Sequence, residues 1–223
     1  MNLTRWLSMC CLLAAACDRT PAAKPDTAAG VVEESHGALA ERYEAQECFD
    51  SARSAFVRQD WEACITRLAE AAAFFRAQSR AANREARPAL DAAAEEIETF
   101  LANVANGERR TPKDLDRVYA QAHAAESGQH LARARSAFTI GEDVRAGEEL
   151  LMSIDHLERA ARDARRPRDS AVHKAVADTR PLATEMVKGM DTDPDDVTRV
   201  SAEIETAIRR IVASIEVPRL KAP

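Results

Sequence analysis

The strongest constraint on the fold is that the chain repeats itself. The segment ARSAF occurs at residues 52–56 and again at residues 134–138, an offset of 82. After the ARSAF segments, the best alignment of the two copies is shifted by one residue, so that Leu68 of the first copy pairs with Leu151 of the second. Identities at the original offset then resume at five pairs of positions: Gly107 and Gly189, Pro112 and Pro194, Asp114 and Asp196, Arg117 and Arg199, and Val118 and Val200. Self-similarity at a fixed period indicates a duplicated structural unit.

Apolar residues within each unit are spaced three and four apart, which places their side chains on one face of an α-helix. Three such stripes are Trp61, Ile65, Leu68, Ala72 and Phe75; Leu90, Ala94, Ile97, Leu101 and Val104; and Val197, Val200, Ile204, Ile208, Ile211 and Ile215. Aromatic residues make up only 4% of the chain, which argues against a sandwich or barrel. We predict an all-α fold of about seven antiparallel helices, in which two duplicated three-helix units are followed by a closing C-terminal helix.

Helix ends are marked by residues with special backbone preferences. Gly107 and Gly189 stand where a helix is expected to end in a left-handed residue. The pairs Thr111-Pro112 and Asp193-Pro194 each supply an N-cap followed by proline at the first helical position. Pro88 is expected to open a further helix. These signals predict one long helix over residues 112–139 that both units share.

The first residues of the chain have the pattern of an export signal. Arg5 precedes an apolar run over residues 6–16, which is shorter than the roughly 20 residues needed to cross a bilayer as a helix. Ala14 and Ala16 satisfy the small-x-small rule for cleavage before residue 17. We therefore expect a signal peptide over residues 1–16 and export from the cytoplasm.

Cys17 follows Leu13 and three alanines, and this sequence resembles the lipobox of bacterial lipoproteins. The resemblance implies that Cys17 becomes the lipidated first residue of the mature protein and anchors it in the cell envelope, facing the periplasm. Ordinary cleavage without lipid stays open, because the family prefers a large aliphatic residue where Ala14 stands. Asp18 resembles the signal that keeps lipoproteins of enteric bacteria in the inner membrane; without that rule the outer membrane is expected.

The rest of the chain divides into three segments. Residues 17–37 mix proline, alanine and polar residues without an apolar period, and are expected to form the lipidated cysteine and a flexible tether. Residues 38–217 hold the duplicated bundle, and residues 218–223 form a tail. Cys48 and Cys64 are expected to be two separate buried thiols, because in a hairpin turning near Gln59 they lie at different heights, beyond disulfide reach.

Composition and motifs exclude several classes of function. Lys plus Arg number 31 against 37 Asp plus Glu, and a net charge of −6 argues against binding to nucleic acid. The chain carries no phosphate-binding glycine loop and no nucleophile or zincin motif, so we do not expect an enzyme. The hairpins at residues 52–82 and 134–164 resemble tetratricopeptide repeats in local style. That resemblance implies binding of other proteins.

Three polar residues share one side of the predicted long helix. His123, Glu126 and His130 have the spacing i, i+3 and i+7, and Tyr119 lies on the same side. The favoured interpretation is a wet groove or a hydrogen-bonded layer. The alternative is a site for Zn, Cu or haem, to which His156 could contribute from the next helix. Met152 lies four residues before His156 on the same predicted helix. Of these two residues, Met152 is expected in the core and His156 at the surface.

These observations lead to one functional prediction and one alternative. The protein is predicted to be an exported, membrane-anchored, non-catalytic scaffold without a cofactor, which binds other envelope proteins through a groove at Tyr119, His123, Glu126 and His130. Self-association through the apolar stripes stays open. The alternative is a metal- or haem-binding bundle of the same compartment, using His123, Glu126, His130 and His156.

Overall fold

The computed structural model describes residues 46–216, and within this range the chain forms seven helices and no strand. The helices are α1 over residues 46–57, α2 (Trp61–Ala81), α3 (Arg87–Ala105), α4 (Pro112–Thr139), α5 (Asp143–Asp163), α6 (Ser170–Val187) and α7 (Pro194–Glu216). Each helix from α2 onward packs against the next one, and α7 also packs against α4 and α5. The predicted all-α class and the number of helices are confirmed. The predicted signal peptide, Cys17, the tether and the tail lie outside the described residues.

The helices repeat at the offset found in the sequence. Residue 61 begins α2 and residue 143 begins α5, while Pro112 and Pro194 begin α4 and α7. Buried positions of α2 recur 82 residues later in α5: Cys64 with Ala146, Leu68 with Leu150, Ala72 with Ile154, and Phe75 with Leu157. The one-residue shift expected between the two matches is therefore wrong. Leu151, which the shift pairs with Leu68, is only half-buried, whereas Leu150 is fully buried.

Backbone geometry explains where the helices end. Gly107 and Gly189 have φ values of +77° and +72°, a conformation that glycine adopts without strain, and both predicted helix ends are confirmed. Thr111 and Asp114 form a capping box at the start of α4, as each side chain meets the other residue's backbone. Asp193 accepts a hydrogen bond from the backbone of Asp195 at the start of α7. These local signals are strong because they satisfy backbone groups that the helices leave unpaired.

The core consists of two apolar clusters that meet on α4. Leu115 and Val118 of α4 join side chains of α1, α2 and α3 in the first cluster. Ala124 and Leu131 of the same helix join side chains of α5, α6 and α7 in the second cluster. Because α4 is covered on both sides, it has little surface of its own in the middle of its length. Polar residues there are consequently buried.

Cys48 and Cys64 are both free, as expected. Cys64 is fully buried, and burial raises the pKa of its thiol to about 11. Cys48 is only half-buried, so the expectation of two buried thiols is wrong for this residue. Its Sγ atom lies 3.7 Å from Oε2 of Glu70. None of the described helices is long and apolar enough to span a membrane.

Helices α5 and α6 pack closely against each other at Gly147. A Cβ atom added to Gly147 would lie 2.7 Å from the carbonyl oxygen of Ala183 and 2.7 Å from Cβ of Met186. Neither neighbour is the far end of a flexible side chain, so the helices would have to move apart. At Gly128 in α4, by contrast, an added Cβ would meet nothing within 4 Å.

We expect Gly147→Ala to lower the free energy of unfolding by about 1 to 3 kcal/mol, the usual cost of overpacking a core. Gly128→Ala is the matched control and is expected to raise it by about 0.5 to 1 kcal/mol, because alanine is the better helix former. Urea denaturation of the two variants measures both effects. An equal effect at the two positions would contradict the close packing of α5 on α6.

Candidate metal centre

The middle of α4 and the facing part of α5 hold three buried ionisable side chains. His123 and Glu126 lie three residues apart on α4 and are 3% and 6% exposed, and His156 of α5 is 3% exposed. The first two share a face because three residues make nearly one helical turn. His156 reaches the same point because α5 packs along α4. We call His123, Glu126 and His156 the triad.

The three donor atoms of the triad form a small triangle. Oε2 of Glu126 lies 3.0 Å from Nδ1 of His123 and 3.0 Å from Nδ1 of His156. The two Nδ1 atoms are 3.4 Å apart. Around an ion bound at about 2.1 Å, donors at octahedral to tetrahedral angles are separated by about 3.0 to 3.4 Å. The triangle therefore already has the size that a bound transition-metal ion requires.

Two serines fix α4 and α5 next to the triad. Ser127 Oγ donates to the carbonyl oxygen of Ser153, and Ser153 Oγ donates to that of Ser127, both at 2.9 Å. Both side chains are fully buried. This reciprocal pair sets the register of the two helices one residue from Glu126 and three from His156. The triad consequently stands on a rigid contact between two helices, not on a loop.

One side of the triad is closed by α1 and by an arginine. The ring of Phe49 meets His123 edge-on, with centroids 5.6 Å apart. Nε2 of His123 lies 3.7 Å from Oδ2 of Asp163, whose other oxygen accepts a hydrogen bond from Arg53 at 2.9 Å. Arg53 also lies over the ring of Tyr119, 5.0 Å from its centroid. Asp163 thus lies behind the His123 ring, close enough for a charge interaction but beyond hydrogen-bond distance.

The other side of the triad is formed by His130 and Glu149. The ring of His130 stacks on that of His156 with centroids 5.3 Å apart and an interplanar angle of 11°. Nδ1 of His130 lies 2.6 Å from Oε2 of Glu149. Both side chains are 14% exposed, so this pair reaches the surface whereas the triad does not.

Electrostatics keep the triad carboxylate ionised. Burial favours the neutral acid of Glu126, but hydrogen bonds and charge interactions with His156 and His123 outweigh it and hold the pKa well below its usual range. Burial raises the pKa of Asp163 despite its contacts with His123 and Arg53. Burial lowers the pKa of His130, although Glu149 opposes this shift. The triad therefore offers one carboxylate and two hydrogen-bonded imidazoles, a donor set suited to Zn²⁺ or Cu²⁺.

The structure corrects several sequence-based expectations for these residues. Tyr119, His123 and Glu126 were expected to line a partner groove, but all three are buried because α1 and α5 cover α4. The wet groove is therefore wrong, and His123 and Glu126 are instead joined by a buried hydrogen bond. His156 is buried and Met152 is half-buried, the reverse of the expectation. His130 faces the same side as His123, yet pairs with Glu149 and not with Glu126.

Sequence reasoning missed four residues of this region. They are Asp163 and Glu149, which flank the triad, and Ser127 and Ser153, which set its register. The serines carry a usable signal, since they occupy the apolar faces of otherwise amphipathic helices. Asp163 and Glu149 give none, because acidic residues near helix ends or on exposed faces are common.

Comparison with known proteins adds no relative. No protein-family model, no curated protein and no solved structure matches the chain.

The lowered pKa of Glu126 predicts a specific pH dependence of stability. A carboxyl group with a lower pKa in the folded than in the unfolded chain adds stability at neutral pH, and this stability is lost as the pH falls. The loss begins below about pH 5.5, one unit above the ordinary pKa of Glu. We expect Glu126→Gln to lower the free energy of unfolding at pH 7 by about 1 to 3 kcal/mol, since it weakens two buried hydrogen bonds.

This difference between Glu126→Gln and the wild type is expected to shrink when urea denaturation is repeated at successively lower pH. The raised pKa of Asp163 acts in the opposite direction, but it is common to both chains and cancels to first order. Glu148→Gln, an exposed neighbour on α5, serves as the control and is expected to follow the wild type. A difference that stays constant from pH 7 to pH 3 would contradict an ionised, buried Glu126.

Proposed function

We propose that the protein binds one transition-metal ion, Zn²⁺ or Cu²⁺, at His123, Glu126 and His156, and that this binding is its function in the cell envelope. The observation that carries the proposal is the donor triangle with sides of 3.0, 3.0 and 3.4 Å. Two imidazoles and one carboxylate are ligands that both ions accept. Asp163 lies 3.7 Å from Nε2 of His123, on the side where such sites commonly have an outer carboxylate.

An ion is favoured over haem by the same distances. Ring nitrogens 3.4 Å apart, both in contact with one carboxylate oxygen, leave no room for a macrocycle between them. The alternative for the triad is a purely structural hydrogen-bond layer, in which Glu126 accepts one N–H from each imidazole. Metal retention separates the two, because hydrogen bonding needs no ion.

We expect the purified full-length chain, dialysed against Zn²⁺ or Cu²⁺ and then against metal-free buffer, to retain one ion per chain by elemental mass spectrometry. His156→Ala and Glu126→Gln are expected to lose the ion, because each removes a ligand of the buried site. At free metal a hundredfold above Kd, binding adds about 2.7 kcal/mol to the stability of the wild type, visible as a raised Tm.

His173→Ala is the matched control for metal retention, since His173 is an exposed histidine on α6. It is expected to retain the ion and the metal-dependent rise in Tm. A wild type that retains no metal, or triad variants that retain as much as the wild type, would refute the proposal. Circular dichroism of each variant identifies any that fails to fold.

A docking role as a non-catalytic scaffold is the second candidate, and a separate observation favours it. Apolar side chains are exposed at the turns of two equivalent hairpins: Val57 and Trp61 at the first, and Ile140 and Val144 at the second. Val57 and Ile140 are 70% and 69% exposed. Such residues suit contacts with another envelope protein or with a second copy of the chain. Sedimentation of the purified chain distinguishes self-association.

For localisation we propose export and a lipid anchor on Cys17, supported by the signal-like residues 1–16 and the lipobox resemblance. In a bacterial host, the full-length chain is expected to incorporate labelled palmitate and to partition into detergent, because acylation supplies most of its membrane affinity. Cys17→Ser is expected to abolish both, whereas Cys11→Ser, within the predicted signal peptide, is expected to retain both. Absence of label from the wild type, or label retained by Cys17→Ser, would contradict the anchor.

A further inference from the structure

Two partly exposed carboxylates flank the buried triad, and their surroundings differ. Asp163, on the His123 side, is 15% exposed and Glu149, on the His156 side, is 14% exposed. Asp163 is bound by Arg53, which also forms an ion pair with Asp116 at 2.8 Å. A cation approaching on this side would meet a guanidinium group and a carboxylate that is already neutralised.

The side of Glu149 has the opposite character. Within residues 46–216, Glu149 forms an ion pair with His130 and with no arginine. Arg133 of α4 donates to Gln78 of α2, although its charge still acts on His130, and Arg145 of α5 donates to Glu142. Of the two carboxylates that flank the triad, Glu149 is therefore the one that no guanidinium group binds directly.

His130 connects this surface carboxylate to the triad. When Nδ1–H of His130 donates to Glu149, Nε2 keeps a free lone pair, which is how carboxylates prepare histidines for metal binding. The ring of His130 stacks on His156, the triad member nearest to it, at a centroid distance of 5.3 Å. Exposure falls in order along this line, from Glu149 and His130 at 14% to His156 at 4%.

We propose that Glu149 and His130 form the route by which a metal ion reaches the triad. Glu149 attracts the hydrated cation, His130 binds it briefly through Nε2 in place of water, and His156 and Glu126 take it over as it moves inward. At His156 and His123 the metal–nitrogen bond replaces the Nδ1–H bond, and the proton leaves to solvent or is carried on Nε2 of the same ring. This inference rests on the metal-binding function proposed above. It adds two residues that control the rate of metal uptake and release but not the number of ions bound per chain.

The rates of Zn²⁺ uptake and release test the route. Purified full-length chain is mixed with Zn²⁺ in a stopped-flow instrument, and the loaded chain is mixed with an excess of a chromophoric chelator. We expect His130→Ala and Glu149→Gln to take up Zn²⁺ about tenfold more slowly than the wild type. Glu149→Gln removes the charge that attracts the ion, and His130→Ala removes the ligand that binds it on the way to the triad. Release slows with uptake, so the equilibrium Kd and the one-ion stoichiometry stay as in the wild type.

Glu148→Gln, which removes an exposed charge one residue away, is the control and is expected to keep wild-type rates. Wild-type rates in both test variants would overturn the route. A weakened Kd with unchanged uptake would also overturn it, because His130 would then be a ligand of the final site. If His130→Ala fails to fold by circular dichroism, Glu149→Gln decides alone. A wild type that binds no Zn²⁺ refutes the proposed function itself, and is thereby distinguishable from failure of the route.

Discussion

A buried carboxylate held between two imidazole rings is the interaction on which the centre of the molecule depends. Taking Glu126 out of water as an anion is expensive, and removal of one partner from such a group destabilises proteins by about 3 to 5 kcal/mol. His123 and His156 offset this cost only while α4 and α5 keep their register, which the Ser127 and Ser153 hydrogen bonds fix. The helix contact and the polar cluster therefore need each other.

The duplication places this cluster in one half of the molecule. The position of His156 is occupied 82 residues earlier by Phe74, and the position of Ser153 by Ala71. The equivalent of Glu149 is Arg67, which is paired with Glu70 in the first unit. At these α2 positions the first unit carries two apolar side chains and a surface ion pair. The polar residues that α5 contributes to the cluster are therefore not shared by its counterpart α2.

Sequence patterns predicted the fold well because helix ends depend on local chemistry. Gly107, Thr111 and Pro112 act within one turn of their own helix, so a single chain segment contains the whole signal. Burial of the triad is a different kind of property. The spacing of His123 and Glu126 put them on one face, but only the packing of α1 and α5 decides that this face is covered. His130 illustrates the limit: four residues from Glu126 is about 6 Å along the helix, enough to bring it to Glu149 instead.

The position of the triad also decides what a bound ion could do. Catalysis by a metal needs a coordination position that a substrate can reach. A cavity of about 830 Å³ opens at the turns near Trp61 and Arg110, and no triad residue lines it. Around the triad the space is taken by Phe49, by the serine pair and by the stacked His130 ring. Under the proposed function, an ion at the triad would be enclosed by these groups, and the partly exposed pair of Glu149 and His130 would be its route of exchange.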